Sequence, residues 1–210
     1  MEPIVQLNSN AKLSEHFKLG EFTKSSSHPE VYNIPSHEAI ANLKRVCGWL
    51  EVLRKRYNER YNACHLDQAQ RVERSLDYAR DDKGGALGRD DKGGGTLGMT
   101  TAPVSSRLSE AHGEISEKPI IINSGYRSPQ LNRKIGGVKN SNHLTGCAVD
   151  IRVTGMEQAK QYAEILRKYA DESHQDFDEI LIEKNRYGAV WLHFAVRPRE
   201  NRRKFLYINA

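Results

Sequence analysis

The segment Val190 to Val196 reads Val-Trp-Leu-His-Phe-Ala-Val, and its alternation restricts this chain more than any other stretch does. Side chains of a strand point by turns to its two faces. Val190, Leu192, Phe194 and Val196 therefore make one wholly apolar face, which must meet a core, while His193 is turned to the opposite face beside Trp191 and Ala195. Such a strand calls for a sheet with one buried face and one open face, and the histidine belongs to the open one. Cys147 to Val153 repeats the pattern: the odd-numbered positions are apolar or thiol, so Asp150 is presented on the other face with Ala148 and Arg152. A carboxylate inside an apolar strand needs a partner, because burying it alone is costly.

Other elements are set by local signals. Pro119 to Asn123 is a β-branched strand, and Phe177 to Glu183 joins Ala189 to Val196 as a hairpin through the turn Lys184 to Gly188. Ser36 is a good N-cap for a helix whose buried stripe is Ile40, Leu43, Val46, Cys47, Leu50 and Leu53, and which is expected to end at about Tyr57. Thr154 with Glu157 reads as a capping box for a helix carrying Met156, Ala159, Tyr162, Ala163, Leu166 and Tyr169 on one face. Leu131 to Ile135 suits one helical turn closed by Gly136 and Gly137. Residues 13–35 read as an irregular, partly docked segment. Helices and strands are segregated along the chain, so the expected class is α+β, a small antiparallel sheet with helices packed on one face.

Between residues 58 and 117 the composition changes. The segment is polar and glycine-rich, and Arg80-Asp81-Asp82-Lys83-Gly84-Gly85 returns as Arg89-Asp90-Asp91-Lys92-Gly93-Gly94. Sequence of this kind buries too little apolar area to offset its ordering entropy. We read 58–117 as a flexible insertion within a single domain spanning 1–210. As an anion-binding glycine loop it lacks the flanking strand and helix.

Cys47, Cys64 and Cys147 form no close pair and leave an odd thiol, which argues against a disulfide framework and for a reducing compartment of synthesis. The N-terminus carries no signal-peptide pattern, and no apolar run approaches membrane-spanning length. The formal net charge of +5 admits an anionic partner, cell wall or nucleic acid. Lys and Arg are spread rather than gathered in a stripe, and no nucleic-acid motif is present, so nucleic-acid binding is the weakest reading.

Just ahead of the Asp150 strand stands Ser141-Asn142-His143-Leu144-Thr145-Gly146, and Gly146 permits a sharp turn that brings His143 back towards Asp150. Two histidines and one carboxylate, His143, Asp150 and His193, are a catalytic zinc set with the fourth position left for water. The spacing alone also allows a structural His–Asp pair.

The string SGYRSPQLNRKIGGVKNSNHLTGCAVDI, residues 124–151, resembles the zinc peptidases that include D-alanyl-D-alanine carboxypeptidases and phage L-alanyl-D-glutamate endolysins, enzymes that share a fold with the hedgehog signalling domain. Their pattern is Ser-Gly-Tyr-Arg-Ser, then Ser-x-His-x-x-Gly-x-Ala-x-Asp, then Trp-x-His. It stands here in order at Ser124 to Ser128, Ser141 to Asp150 and Trp191 to His193. The resemblance covers residues 13–57 and 118–210, skips the repeat-bearing segment, and is similar to the phage and prophage branch. It implies Zn2+ held by His143, Asp150 and His193, a peptidoglycan stem peptide as substrate, and Arg127 as the holder of an oxyanion or substrate carboxylate. A monomer without a signal peptide would reach the wall through a phage holin.

Many relatives place an acid three residues before the last histidine, where this chain has Val190. Glu183, at the end of the partner strand, is the replacement candidate for general base, with a solvated strand-end carboxylate as its equal alternative. Asp178 and Glu179 rank lower because they lie further from the turn. Trp191 either walls a cleft or covers the sheet. The missing acid also leaves open a non-catalytic zinc-binding module of the same fold. Histidines 16, 28, 37, 65, 112 and 174 have no ligand spacing and are read as surface residues.

Overall fold

In the computed structural model, which describes residues 8–81 and 117–209, the alternating segments pair into one five-stranded sheet of order β1-β2-β4-β3-β5. Its strands are β1 (Ile122–Ser124), β2 (Ala148–Arg152), β3 (Glu179–Lys184), β4 (Val190–Ala195) and β5 (Lys204–Asn209). The pairs β1–β2, β2–β4 and β3–β4 are antiparallel, as the hairpin and the alternation require. The pair β3–β5 is parallel, which makes the sheet mixed. Lys204–Asn209 carries four apolar residues in succession rather than an alternation, and its partner lies about 25 residues upstream, so no local pattern announces it.

Among the described residues the helices are α1 (Leu19–Thr23), α2 (His37–Asp81), α3 (Pro129–Lys134) and α4 (Met156–Ser173). The α+β class holds, with helices on one face of the sheet. Leu43, Val46, Leu50 and Leu53 of α2 and Ala159, Tyr162, Ala163 and Leu166 of α4 are buried with Val149, Ile151, Ile180, Ile182, Leu192 and Phe194 of the sheet. Trp49 sits at the junction, 4.8 Å from the Tyr169 ring and 5.3 Å from that of Phe194. Each fully buried Leu, Ile or Phe in such a layer contributes about 1.5–3 kcal/mol.

Two local expectations are corrected. The helix that Ser36 caps, through a 3.1 Å bond from the Ala39 N–H to its hydroxyl, does not end at Tyr57 but runs to Asp81. The apolar stripe stops near Tyr57, yet residues 58–81 are rich in Glu, Arg, Gln, Ala and Leu, which favour helix without a core to face. An Asp67–Arg71 pair at 3.1 Å supports that stretch. The Thr154–Glu157 capping box is not formed. Gly155 is the N-cap of α4, and it is Gln158 that reaches back to the Thr154 N–H at 2.7 Å.

The chain divides into two compact units, one of Met1–Tyr57 with Pro119–Ala210 and one of Asn58–Lys118. In the second unit, the Asn58 amide exchanges hydrogen bonds of 2.8 and 3.2 Å with the backbone of Lys118, which brings the unit's two ends together. The repeat falls almost wholly in 82–116, outside the described residues, as does the flexibility expected of it. Among the described residues no helix is long and apolar enough to cross a membrane.

Candidate metal centre

The open face of the sheet is set by strand register. Asp150 pairs with His193, and His193 with Leu181. Cross-strand partners share a face, so Asp150, His193, Glu179 and Glu183 all stand opposite the helices. His143 arrives from a 3-10 turn, Asn142–Thr145, capped by the Ser141 hydroxyl and ended by Gly146 at φ +71°. A Cβ at Gly146 would lie 2.5 Å from the Ala39 carbonyl oxygen, so the turn back into β2 needs glycine both for conformation and for space.

Three donor atoms converge there. His193 Nδ1 is 2.9 Å from Asp150 Oδ1, His143 Nε2 is 3.3 Å from that oxygen, and the two ring nitrogens are 3.3 Å apart. A tetrahedral zinc with bonds of about 2.0–2.1 Å has ligand–ligand edges of about 3.3 Å. The triangle already has nearly those edges, so these residues can hold a metal ion of that size. Among the described residues no other group of three His, Cys, Asp or Glu side chains converges in this way.

The surroundings fix the ligands. The His143 Nδ1–H donates to the Gly125 carbonyl at 2.6 Å, which leaves the Nε2 lone pair facing the cluster. The Arg127 N–H donates to the His143 carbonyl at 3.0 Å, tying the Ser-Gly-Tyr-Arg turn to the 3-10 turn. Burial pushes the His143 pKa down despite the neighbouring Asp150 carboxylate. Burial would do the same to His193, but hydrogen bonds to Asp150 and Glu179 outweigh it and raise it to about 9. Asp150 would be raised by burial, yet the two histidines hold it far below the usual carboxylate range.

Arg127 is largely buried against Asp150. Its Nη2 donates to Asp150 Oδ2, and its Nε to the Ser124 hydroxyl at 2.9 Å, so the guanidinium is anchored to the oxygen that the histidines do not use. Glu183 pairs in register with Trp191, one step diagonal to His193. It is half-buried, and burial raises its pKa although His193 pulls the other way. Among the described residues its carboxylate accepts no hydrogen bond from a side chain. Trp191 is half-buried on the same face, next to Arg152 and Glu183.

Glu179, ranked below Glu183 as a general base, stands beside a metal-site histidine instead. Its Oε2 lies 3.6 Å from His193 Nε2, behind the ring nitrogen that does not face Asp150. Asn142 at 3.1 Å, Arg202 at 2.9 Å and Lys204 at 3.2 Å hold it in place. Contact with His193, then with Lys204, lowers its pKa to about 2. Same-face alternation, which puts residues 179, 181 and 183 together, is the sequence signal for this placement. Asp178 is fully buried, where Arg202 and Arg197 neutralise it and the Asn142 amide donates to it. His16 and His28 pair with Glu51 and Glu30 near the surface, and His112 lies outside the described residues.

Residues 93–183 match the family described as Peptidase M15, a stretch that holds Arg127, His143 and Asp150 and stops at Glu183, short of His193. The chain is also similar to a zinc D-Ala-D-Ala carboxypeptidase of Streptomyces albus G, 33% identical over 66 residues, which are 29% of this chain and 26% of that protein. The match thus spans about a quarter of the relative's length.

Proposed function

We propose that this chain, which contains a Peptidase M15 domain, is a zinc metallopeptidase that hydrolyses amide bonds in the peptide stem of bacterial peptidoglycan. The observation that carries this reading is the triangle of His143, Asp150 and His193 donors, with edges of 2.9–3.3 Å, beside Arg127 and Glu183. A bound zinc ion would supply Lewis-acid polarisation of the scissile carbonyl and a water acidic enough to attack at neutral pH.

The chain's own residues supply the rest. His143 and His193 present neutral ring nitrogens, and Asp150 one carboxylate oxygen, leaving a fourth position open. Arg127, already oriented by Asp150 and Ser124, has spare N–H donors for the oxygen on which negative charge develops. Glu183 accepts the proton of the attacking water on a carboxylate oxygen and returns it to the leaving amine nitrogen. Its raised pKa brings it closer to the working pH of such a base. Trp191 and Arg152 flank the position where the peptide crosses the sheet.

Within this reading the whole chain is one peptidase domain with 58–117 inserted, acting as a monomer on the wall after release from the cell, with no nucleic-acid partner. The net charge of +5 favours retention near an anionic wall. The test is mass spectrometry of purified muropeptides incubated with zinc-loaded protein, with a chelated sample alongside. Cleavage that disappears with chelation and returns with zinc is expected. A protein that binds one zinc and cuts no wall fragment is instead a non-catalytic metal module, the reading that the absent acid at Val190 favours.

A further inference from the structure

Asp178 is wholly buried, and no step of the proposed hydrolysis uses it. A buried ion network contributes little net stability, because desolvation offsets its attraction, so its value is to be sought in how it places its neighbours. The Asp178 carboxylate is fully engaged. Arg202 meets it with two parallel bonds, Nε to Oδ1 at 2.8 Å and Nη2 to Oδ2 at 2.7 Å. The Asn142 amide donates to Oδ2 at 2.7 Å, and Arg197 Nε stands 3.1 Å from the same oxygen.

Two of these donors reach beyond Asp178. Arg202 Nη2 is also 2.9 Å from Glu179 Oε1, and the Asn142 amide also donates to Glu179 Oε2 at 3.1 Å. Each oxygen of Glu179 is thus held by a different donor, and both donors are anchored on Asp178. The last torsion of a free glutamate is broad; held at both oxygens, this one has a fixed plane. Oε2 is the oxygen that faces His193 Nε2 at 3.6 Å. A ligating imidazole is oriented by the acceptor at its other ring nitrogen, so what fixes Glu179 also fixes the ring. The second histidine is tied to the same point. Strand pairing sets His193 against Asp150, but His143 comes from a turn outside the sheet, and Asn142 directly precedes it there. The Asn142 side chain is used at both ends, its amide N–H groups on Asp178 and Glu179 and its oxygen on Arg197 Nε at 2.9 Å. One hydrogen-bonded bridge therefore spans two ligands that lie 50 residues apart in the chain.

We propose that Asp178 is a positioning residue for the metal centre. Through Arg202 and Asn142 it holds Glu179 behind His193, and through Asn142 it ties the His143 turn to the same carboxylate. The inference rests on the metal-site part of the reading above and not on hydrolysis. It adds a layer behind Glu179 to which the Ser-x-His and Trp-x-His patterns give no clue, since neither specifies residue 142 or 178.

The test is the zinc affinity of the full chain, by competition with a chromophoric chelator well below the unfolding temperature. Asp178→Asn and Asn142→Leu are each expected to weaken zinc about 10-fold, the low end for groups behind a ligating imidazole. Asp178→Asn combined with Glu179→Gln should lose less than the product of the two single losses, because Asp178 acts through Glu179. Cobalt(II) in place of zinc reports ligand geometry through its visible absorption bands. Those bands should shift in Asp178→Asn and Asn142→Leu and stay unchanged in Arg203→Met, which removes an ion pair with Asp171 and Asp176 instead. Asn142→Leu leaves Asp178 both of its arginines and decides the matter if Asp178→Asn does not fold. Wild-type zinc affinity and cobalt bands, a fall in melting temperature alone, or losses that multiply in the double variant would each overturn the proposal. A wild-type chain that takes no zinc sinks the metal site and this inference together. One that binds zinc and cuts no muropeptide sinks only the hydrolase reading.

Discussion

Glu179 and Glu183 lie four residues apart on one face of β3, either side of the position that pairs with His193, and their environments oppose each other. Glu179 is held by Asn142, Arg202 and Lys204 against the back of the His193 ring, with its pKa lowered to about 2. Glu183 is half-buried with no side-chain hydrogen-bond donor among the described residues, and its pKa is raised. Two carboxylates whose proton affinities are driven apart by their surroundings are suited to two different tasks. In the proposed mechanism one fixes a ligand and the other moves a proton.

Glu183→Gln should retain zinc at one equivalent per chain while turnover falls by about 10²–10⁴-fold. The same change should raise stability at neutral pH. A carboxylate whose pKa is raised on folding contributes stability below its unfolded value of 4.5, which is lost as pH climbs through the higher folded value. The variant's advantage in thermal unfolding should therefore appear above the ordinary carboxylate range and vanish below it. A Gln variant of full activity would remove Glu183 from the mechanism.

Glu179→Gln should weaken zinc binding by about 10–100-fold, the usual cost of losing a carboxylate behind a ligating imidazole. Competition against a chromophoric chelator measures this. The metal-free variant should also unfold at a lower temperature near neutral pH, because the contacts that hold the Glu179 pKa down stabilise the fold above its unfolded value of 4.5. Unchanged zinc affinity would reduce Glu179 to a member of a surface ion-pair network.

Metal-free protein should lose stability as pH rises from 6.5 to about 9. His193 titrates at about 9 when folded and at 6.5 when unfolded, so its contribution is complete below 6.5 and lost through the folded value. Asp150, depressed by the two histidines, adds stability that is lost only as pH falls below its unfolded value of 3.8. Zinc must displace the His193 proton, so its affinity should rise over the same interval in which the metal-free melting temperature falls. A metal-free melting temperature that is flat from pH 6.5 to 9 would contradict the raised His193 pKa.

Gly146→Ala should destabilise the fold by about 2 kcal/mol or more, through a left-handed backbone that alanine resists and a Cβ 2.5 Å from the Ala39 carbonyl oxygen. Urea unfolding measures the loss. Zinc affinity should fall with it, because Gly146 sets the path from His143 into β2.

Local alternation was enough to place Asp150 and His193 on the open face, because the two-residue period of a strand is a property of each strand by itself. The Ser36 cap, the buried stripe of α2 and the glycine turn before β2 were legible for the same reason. Relations between one strand and another were not. The register that sets Glu183 and Glu179 either side of His193, the anchoring of Arg127 on Asp150, and the parallel docking of β5 all depend on pairings between residues far apart in the chain. Those are decided by how the layers pack, and no window of neighbouring residues contains them. The continuation of α2 past Tyr57 escaped for the opposite reason: helix propensity carried it where no apolar periodicity marked it. The sequence thus determined which side chains can reach a metal, and the tertiary structure decided which neighbours tune them.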